Sequence, residues 1–538
     1  MGDRSNSSAG EQLGPHVGLL CISSWKAWFV SNRSKGHAGL YIILAIYLLP
    51  VFFVLTTFPI FYDDESWLYL SPIEALRGNG FTWAAFGQGH SAAFTFDAIA
   101  YSLLRLSPLS LVPTIRLIST GAGAFTLVAA YLAARRLAPR TALIAPSLLV
   151  LTWSFYWLSR YGRSDSLSLL LSTASIWLSL AERPMLAGIG AGLSTSIYPL
   201  NGWVACFDGF IAHRRRGWKG LVRCGGGIAI GVSWQIYGIA KHFHDYVAIN
   251  RKYAASASIR SKSGLLSEIM QSVINERERY SSYLASLFQR ADYASLFALV
   301  VIIACFLLSL KSTRRWIAIL LVAMPLASMA VLVGLKNPYE FIFCLPSLAI
   351  ASAIGADYLP RPIFRAAIAC TFALIVVVLW PPAIPRIGAA RPEAVFAAVA
   401  HALPEGSVVI SPVYFAPIME KRPDIRFFTY HVFSPHDDWS LPECRAVPQF
   451  IRNVVQNDAR RTSQRYLLGQ TQLPIYFIWL DGFRLGYLRL IWPDLSDQQA
   501  DCFMPMSRIE TNVVTVRGRR PGQDDRTGIG RLDLDGTP

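Results

Sequence analysis

Gly39-Leu-Tyr-Ile-Ile-Leu-Ala-Ile-Tyr-Leu-Leu-Pro-Val-Phe-Phe-Val-Leu-Thr-Thr-Phe-Pro-Ile60 runs straight into Phe61-Tyr-Asp-Asp-Glu-Ser-Trp-Leu-Tyr-Leu70, and this junction decides the fold. The first block is about 22 residues without a charge, long enough as a helix to cross the hydrocarbon core of a bilayer. Asp63, Asp64 and Glu65 follow at once, so three carboxylates are held where a helix leaves the membrane. The 38 residues ahead of the block are polar and carry Lys26, Arg33 and Lys35, with no small-residue cleavage site leading into a soluble chain. The block therefore reads as an uncleaved first helix that starts in the cytoplasm, with the acids outside.

The rest of the chain keeps this character. Of 538 residues, 53% are hydrophobic and only 16% charged, with a mean hydropathy of +0.37, and the apolar residues come in blocks. This composition belongs to an α-helical polytopic membrane protein. The formal charge of +16 would suggest nucleic acid in a soluble protein. Here much of the Lys and Arg falls in short gaps between apolar blocks, which sets membrane orientation and attracts anionic lipid.

Taken in order, residues 66–113 hold Asp97, Arg105, His90, Pro108 and Pro113 around one apolar run, and periodicity alone does not choose between a span and an interfacial helix. Spans at about 114–136, 141–159 and 166–182 put Arg135-Arg136-Leu-Ala-Pro-Arg140 and Glu182-Arg183-Pro184 on one side and Arg160-Tyr-Gly-Arg163-Ser-Asp165 on the other. With the Arg135 turn cytoplasmic, 66–113 holds juxtamembrane or re-entrant helices and makes no net crossing. A single span over Met185 to Ala212 would place His213-Arg-Arg-Arg216 outside, so the run is expected to break at Tyr198-Pro-Leu-Asn-Gly202. Further spans at about 220–240, 294–310, 316–335, 339–357 and 364–382 bring the expected total to eleven, with the C-terminus outside. The outside loop 241–293 is basic, with Lys241, Arg251, Lys252, Arg260, Lys262, Arg277, Arg279 and Arg290, and a bound anionic ligand would account for that.

Beyond Pro385 the pattern changes to a helix at Pro392 to Ala402 and short strands at Ser407-Val-Val-Ile410, Arg426-Phe-Phe-Thr429 and Pro474 to Leu480. The expected organisation is a cytoplasmic segment 1–38, a membrane domain 39–384, a small extracytoplasmic α/β domain 385–516 and a disordered Gly-, Arg- and Asp-rich tail 517–538. Of eight cysteines, Cys444 and Cys502 fall in the exported domain, where a disulfide could join them. No metal-ligand spacing, Walker loop, dinucleotide fingerprint or nucleophile elbow is present.

The outer face then collects Asp63, Asp64, Glu65, His90, Arg160, Arg163, Asp165, the basic loop and Lys336-Asn-Pro-Tyr339-Glu340. A reaction in which an acceptor hydroxyl loses a proton while a phosphate leaves needs both signs of charge. The first-loop acids, Gly89-His90-Ser-Ala-Ala-Phe94, the Ala-Arg-Arg turn at 134–136, Ser-Arg-Tyr-Gly-Arg-Ser-Asp at 159–165 and Lys336-Asn-Pro-Tyr339 leading to Leu345-Pro346 together resemble the GT-C superfamily of membrane glycosyltransferases. The bacterial branch similar to lipid A aminoarabinose, rhizobial galacturonosyl and protein O-mannosyl transferases fits best, over residues 39–382.

The resemblance implies inverting transfer of a sugar from a polyprenyl-phosphate donor to a lipid, glycan or protein acceptor at the periplasmic face of a bacterial inner membrane, with no metal or other cofactor and no nucleic-acid partner. It maps the activating carboxylate to Asp64, with Asp63 and Glu65 beside it, and the lipid-phosphate and substrate contacts to Arg160, Arg163, Asp165, His90, Lys336 and Tyr339. Gly89-His90 stands where the aminoarabinose branch has a Glu-Lys pair, so the sugar is not inherited from that branch.

Plainer readings stand beside these. The acidic trio could favour a helix N-terminus, Arg160, Arg163 and Lys336 could be snorkelling anchors, Tyr339 an interfacial aromatic and His90 a satisfied polar residue. From other classes, a transporter or lipid flippase would share the break at Tyr198 but place charges at the bilayer midplane, and an assembly subunit would need only its exported domain.

Overall fold

The structure is a computed structural model that describes residues 36–56, 61–62, 94–106, 110–241, 270, 272–289, 292–332, 338–374, 377, 392–411, 415, 417–422, 424–429, 475–480, 503–510, 514–515 and 526–532. Asp63, Asp64, Glu65, His90, Lys336, Cys444 and Cys502 lie outside the described residues. The chain is mainly helical. Its membrane part contains α1 (Gly36–Val54), α2 (Phe94–Leu106), α3 (Leu111–Leu137), α4 (Ile144–Leu151), α5 (Trp153–Leu158), α6 (Asp165–Leu180), α7 (Pro184–Ile197), α8 (Gly202–Lys241), α9 (Glu276–Gln289), α10 (Tyr293–Ser309), α11 (Arg315–Leu332), α12 (Leu345–Ala356) and α13 (Arg361–Leu374).

Direction along the bundle is set by contacts at its two ends. Arg116, fully buried near the start of α3, donates to the Leu55 carbonyl (3.2 Å), and Arg135 near the end of α3 meets His37 Nε2 (2.9 Å), so α3 runs back along α1. The first of these contacts marks an upper end and the second a lower end. The alternation continues: Ser119 of α3 bonds the Arg163 backbone at the top, whereas Arg215 donates to the last turn of α6 at Leu180 O and to Glu182 at the bottom. Thr141 binds Ala353 O, and the Tyr358 hydroxyl binds Lys311 O, which ties the lower ends of α12 and α10 to the α3–α4 turn.

α12 is the central helix, with every residue from Leu345 to Ala356 buried. It is apolar all round, as a helix surrounded by others must be. The perimeter is the reverse. Phe52, Phe53, Phe125, Val300, Ile303, Leu307 and Trp316 all expose more than half their surface, a belt that belongs against lipid rather than water. Together with the apolar helices this makes the chain a multi-pass membrane protein. Among the described residues, His37–Val54 and Leu111–Leu137 are long and apolar enough to cross a membrane by themselves, and the other apolar helices are shorter.

One expected span has a different internal structure. Residues 141–159 form α4 and α5, separated at Thr152, whose backbone is extended (φ −77°, ψ 118°). The break expected at Tyr198–Gly202 is present as an extended Tyr198 and a 3-10 turn Pro199–Asn201. α8 then reverses at Gly217 (φ 58°, ψ −150°), a left-handed backbone that a residue without Cβ adopts freely. Its second half lies parallel to α7: a Cβ on Gly188 would meet Cys224 O at 2.1 Å and one on Gly227 would meet Met185 O at 2.2 Å. Glycines four apart on both helices, Gly188 and Gly192 against Gly227 and Gly231, let the backbones touch.

The C-terminal region contributes α14 (Pro392–Ala402), α15 (Ile418–Lys421) and strands β2 (Val408–Ser411), β3 (Arg426–Thr429), β4 (Ile475–Leu480), β5 (Phe503–Glu510) and β7 (Arg526–Leu532) in a sheet of order β3-β2-β4-β7-β5. β2 runs parallel to β3 and β4, and β7 lies antiparallel between β4 and β5. β7 corrects the expectation of a disordered tail: Arg526 to Leu532 is an interior strand. Its Gly528, Ile529 and Gly530 carry little apolar signal, and what orders them is pairing on both edges with strands far off in sequence. The sheet unit shares a core with the top of the bundle. Val395, Phe396 and Ile418 cluster with Phe96, Leu111 and Ile115, and Leu111 N donates to Glu420 Oε1 (3.1 Å). A two-residue pairing of β1 (Phe61–Tyr62) with β6 (Val514–Thr515) joins the chain just ahead of the acidic trio to the same region.

Candidate active site

α5 and the turn after it deliver the first two charged groups. Arg163 has its backbone pinned to α3, its N donating to Ser119 Oγ (3.0 Å) and its carbonyl accepting from the same hydroxyl (2.8 Å). Its Nε donates to Asp165 Oδ2 at 2.5 Å. Asp165 is the first residue of α6, where a carboxylate meets the positive end of the helix dipole, and it is buried.

Across from this pair stands Tyr198, left extended by the chain break. Its ring stacks on Phe343, centroids 4.3 Å apart. Burial pushes its hydroxyl well above the usual tyrosine range, the charges of Asp165 and Glu340 push the same way, and Arg163 and Arg279 oppose them. Tyr198 is therefore a neutral hydrogen-bonding group placed among four charges. The break itself is fixed to the bundle by Ser328 of α11, which donates to Leu200 O (2.8 Å).

The third contribution comes from the basic loop and the segment before α12. Residues Pro338–Phe343 form a 3-10 turn in which Glu340 accepts from Arg279 Nη1. Arg279 has no exposed surface and also donates through Nε to both oxygens of Glu276 (2.6 and 3.2 Å), one helical turn back on α9. Phe341 of the turn lies between Tyr280 and Tyr283 of α9, with centroids 6.3 and 4.9 Å away, and Tyr283 shares a hydrogen bond with Ser154 of α5 (3.2 Å). Burial, helped by Glu276, pushes the Tyr280 hydroxyl up to about 12.

The structure thus brings Arg163 and Asp165 together with the turn that carries Tyr339 and with Arg279 of the basic loop. The end of α1, from which the chain leads to Asp63, Asp64 and Glu65, lies at the same upper end through Arg116 and Ser119. Arg160 is not part of this group. Its guanidinium is buried inside the bundle, 3.8 Å from the centroid of Tyr156 and 4.5 Å from that of Tyr47, with Nη1 on Tyr156 O and Nη2 on Tyr47 O. The Tyr47 hydroxyl donates to Ser159 Oγ (2.7 Å), so this cation clasps α1 to the turn that carries Arg163.

Sequence reasoning passed over Tyr198, read only as a break, and Glu276, read only as one acid in a basic loop. The Glu276–Arg279 spacing of three on one helix face was the available signal. The anion expected to balance the basic loop is, for Arg279, supplied by the protein's own carboxylates. The described cluster holds two cations against three carboxylates, and no metal-binding grouping of His, Cys, Asp or Glu occurs among the described residues.

Comparison with solved structures gives ArnT from Cupriavidus metallidurans bound to undecaprenyl phosphate, 12% identical, covering 95% of this chain and 98% of that one with a TM-score of 0.50. The oligosaccharyltransferase of Archaeoglobus fulgidus is also similar, 12% identical over 89% of this chain and 72% of that one, at a TM-score of 0.48. No protein-family model and no curated protein sequence matches the chain. The likeness to ArnT is one of fold, and it runs over nearly the whole of both chains.

Proposed function

We propose that this chain is an inverting glycosyltransferase that moves a sugar from a polyprenyl-phosphate donor to a lipid, glycan or protein acceptor, at the membrane face where the upper end of the bundle opens. The observation that carries the reading is convergence. The end of α1, the Arg163–Asp165 turn, the Tyr198 break, Arg279 and Glu340 come from separate parts of the sequence and meet at one end of an apolar bundle. The undecaprenyl phosphate bound to the similarly folded ArnT supports a lipid-phosphate donor.

In this reading Asp64 deprotonates the acceptor as it attacks C1, with Asp63 and Glu65 beside it. The leaving phosphate is met by Lys336, Arg163 and cations of the 241–293 loop, with Tyr339, His90 and Asp165 lining the substrates. Arg160, clasped inside the bundle, holds the Arg163 turn in register with α1. The lower turns carry Arg135, Arg136, Arg140, Arg214, Arg215, Arg216, Lys311, Arg314 and Arg315, which supports a cytoplasmic lower end, eleven traverses and a periplasmic sheet unit in a bacterial inner membrane.

The test is release of polyprenyl phosphate from a labelled lipid-linked sugar by purified protein in the presence of envelope acceptor lipids. Wild type should release it only when acceptor is present, and Asp64→Asn should fall by about 10²–10⁴-fold, the usual worth of a general base. A near wild-type rate for that variant removes Asp64 from the mechanism. A transporter, which would share the broken helix at Tyr198, would move the labelled lipid across vesicles without cleaving it.

A further inference from the structure

The second half of α8 begins with Trp218, 72% exposed, and carries Lys219 and Arg223, both exposed, in its first two turns. A cation there is opposed by the helix dipole, so helix stability does not account for these residues. The neighbouring cations differ: Arg215 and Arg216 are joined to Glu182 at 2.7 and 3.7 Å. No acidic partner is seen for Lys219 or Arg223 among the described residues.

At 3.6 residues per turn, Lys219, Arg223, Gly226, Ile230, Trp234 and Tyr237 fall on one stripe of this helix. All are exposed. The adjoining face, with Cys224, Gly227 and Gly231, is buried, its two glycines packed on α7. The outward stripe changes character along its length, from two cations at the lower end, through a glycine with nothing within 4 Å of where a Cβ would stand, to Ile230 (52% exposed), Trp234 (47%) and Tyr237 (60%). Positive charge at the membrane surface followed by bare helix backbone and an apolar strip is the chemical outline of a single phospholipid lying along the helix. Orientation by positive charge explains the sign of the lower end; it does not explain why these cations share a stripe with the bare glycine and the exposed apolar residues above it.

We propose that this face of α8 is a binding site for an anionic phospholipid, with the headgroup phosphate on Lys219 and Arg223, Trp218 at the interface, and an acyl chain over Gly226 and Ile230. The site is independent of the sugar-transfer reading, because it lies at the other end of the bundle.

The experiment is native mass spectrometry of the full chain titrated with phosphatidylglycerol or phosphatidylcholine in detergent, with thermal stability read in parallel. Wild type should retain phosphatidylglycerol in preference to phosphatidylcholine. K219Q/R223Q should weaken that retention roughly 30-fold, the equivalent of about 1 kcal/mol per cation. G226L keeps both charges and fills open space, so it should fold normally and still lose lipid, which a purely electrostatic surface would not. A control variant, K311Q/R314Q, at a different lower turn should bind as wild type does. The proposal is overturned if K219Q/R223Q or G226L retains lipid undiminished, if the control loses as much, or if inorganic phosphate displaces the lipid at equal concentration. If K219Q/R223Q does not fold, K219R/R223K and G226L decide alone: the first should keep the site and the second abolish it.

Discussion

Arg279 shows what burial does to a charge in this chain. Its guanidinium is removed from water and held between Glu276 and Glu340, which joins α9 of the basic loop to the turn before α12. Removing one member of such a group leaves the others buried and uncompensated. Arg279→Met is therefore expected to lower unfolding stability by about 3–5 kcal/mol. Adding E276Q and E340Q to it should recover much of the loss, both read by thermal melting in detergent. If the single substitution costs under about 1 kcal/mol, the triad does not hold these elements together.

The same chemistry in the sheet unit gives a pH dependence. Arg422 forks onto Asp424 through Nε (2.9 Å) and Nη2 (2.7 Å) and also donates to Ala400 O and Leu403 O, closing the end of α14. The guanidinium holds the Asp424 carboxyl well below the usual carboxylate range, helped by the Gly406 amide. A depressed carboxylate adds stability above its unfolded pKa, near 4, and that stability is lost as pH falls from there toward the folded value. Because the pair is partly exposed, the contribution is about 1 kcal/mol. Melting of the full chain between pH 7 and pH 3 should fall more steeply in wild type than in D424N; parallel curves would remove the pair as the cause.

Among elements, the α7–α8 contact is the most exacting. Gly188 and Gly227 each face backbone atoms of the other helix at distances no side chain fits, whereas Gly225 and Gly226 have open space. Alanine at 188 or 227 should force the helices apart and markedly lower the melting temperature. Alanine at 225 or 226 should stay within about 1 kcal/mol of wild type, on the stabilising side, through helix propensity. Equal effects at all four positions would mean the helices do not pack through these glycines. The triple glycine at 225–227 is plain in the sequence, yet only the packing distinguishes its third member from the first two. The break at Tyr198, by contrast, was legible, because a proline and a charge-orientation conflict both demanded it.

The whole molecule rests on two ends with different jobs, a charged and aromatic cluster above and a predominantly cationic rim below. On a cysteine-free background, S164C and D64C should label from one side of sealed vesicles and T313C from the other. Residue 64 labelling with residue 313 would end the proposed mechanism, since the carboxylate and the lipid phosphate could not then share a pocket. Charge clustering in the sequence points to the upper end for Arg163, Asp165 and Glu340, because polar residues bounding apolar blocks must sit at the bundle's ends. It gave no warning that Arg160, three residues from Arg163, turns into the bundle between two tyrosine rings.

By itself the sequence determined that this chain crosses a membrane many times and where its apolar run must break, since hydropathy and cation position follow from the cost of placing polar groups in lipid. Only the tertiary structure decided which charges neutralise one another, which glycines touch a neighbouring backbone, and that Arg526–Leu532 is a strand. Each of these depends on residues distant in the chain meeting at contact distance, and no local pattern encodes that meeting.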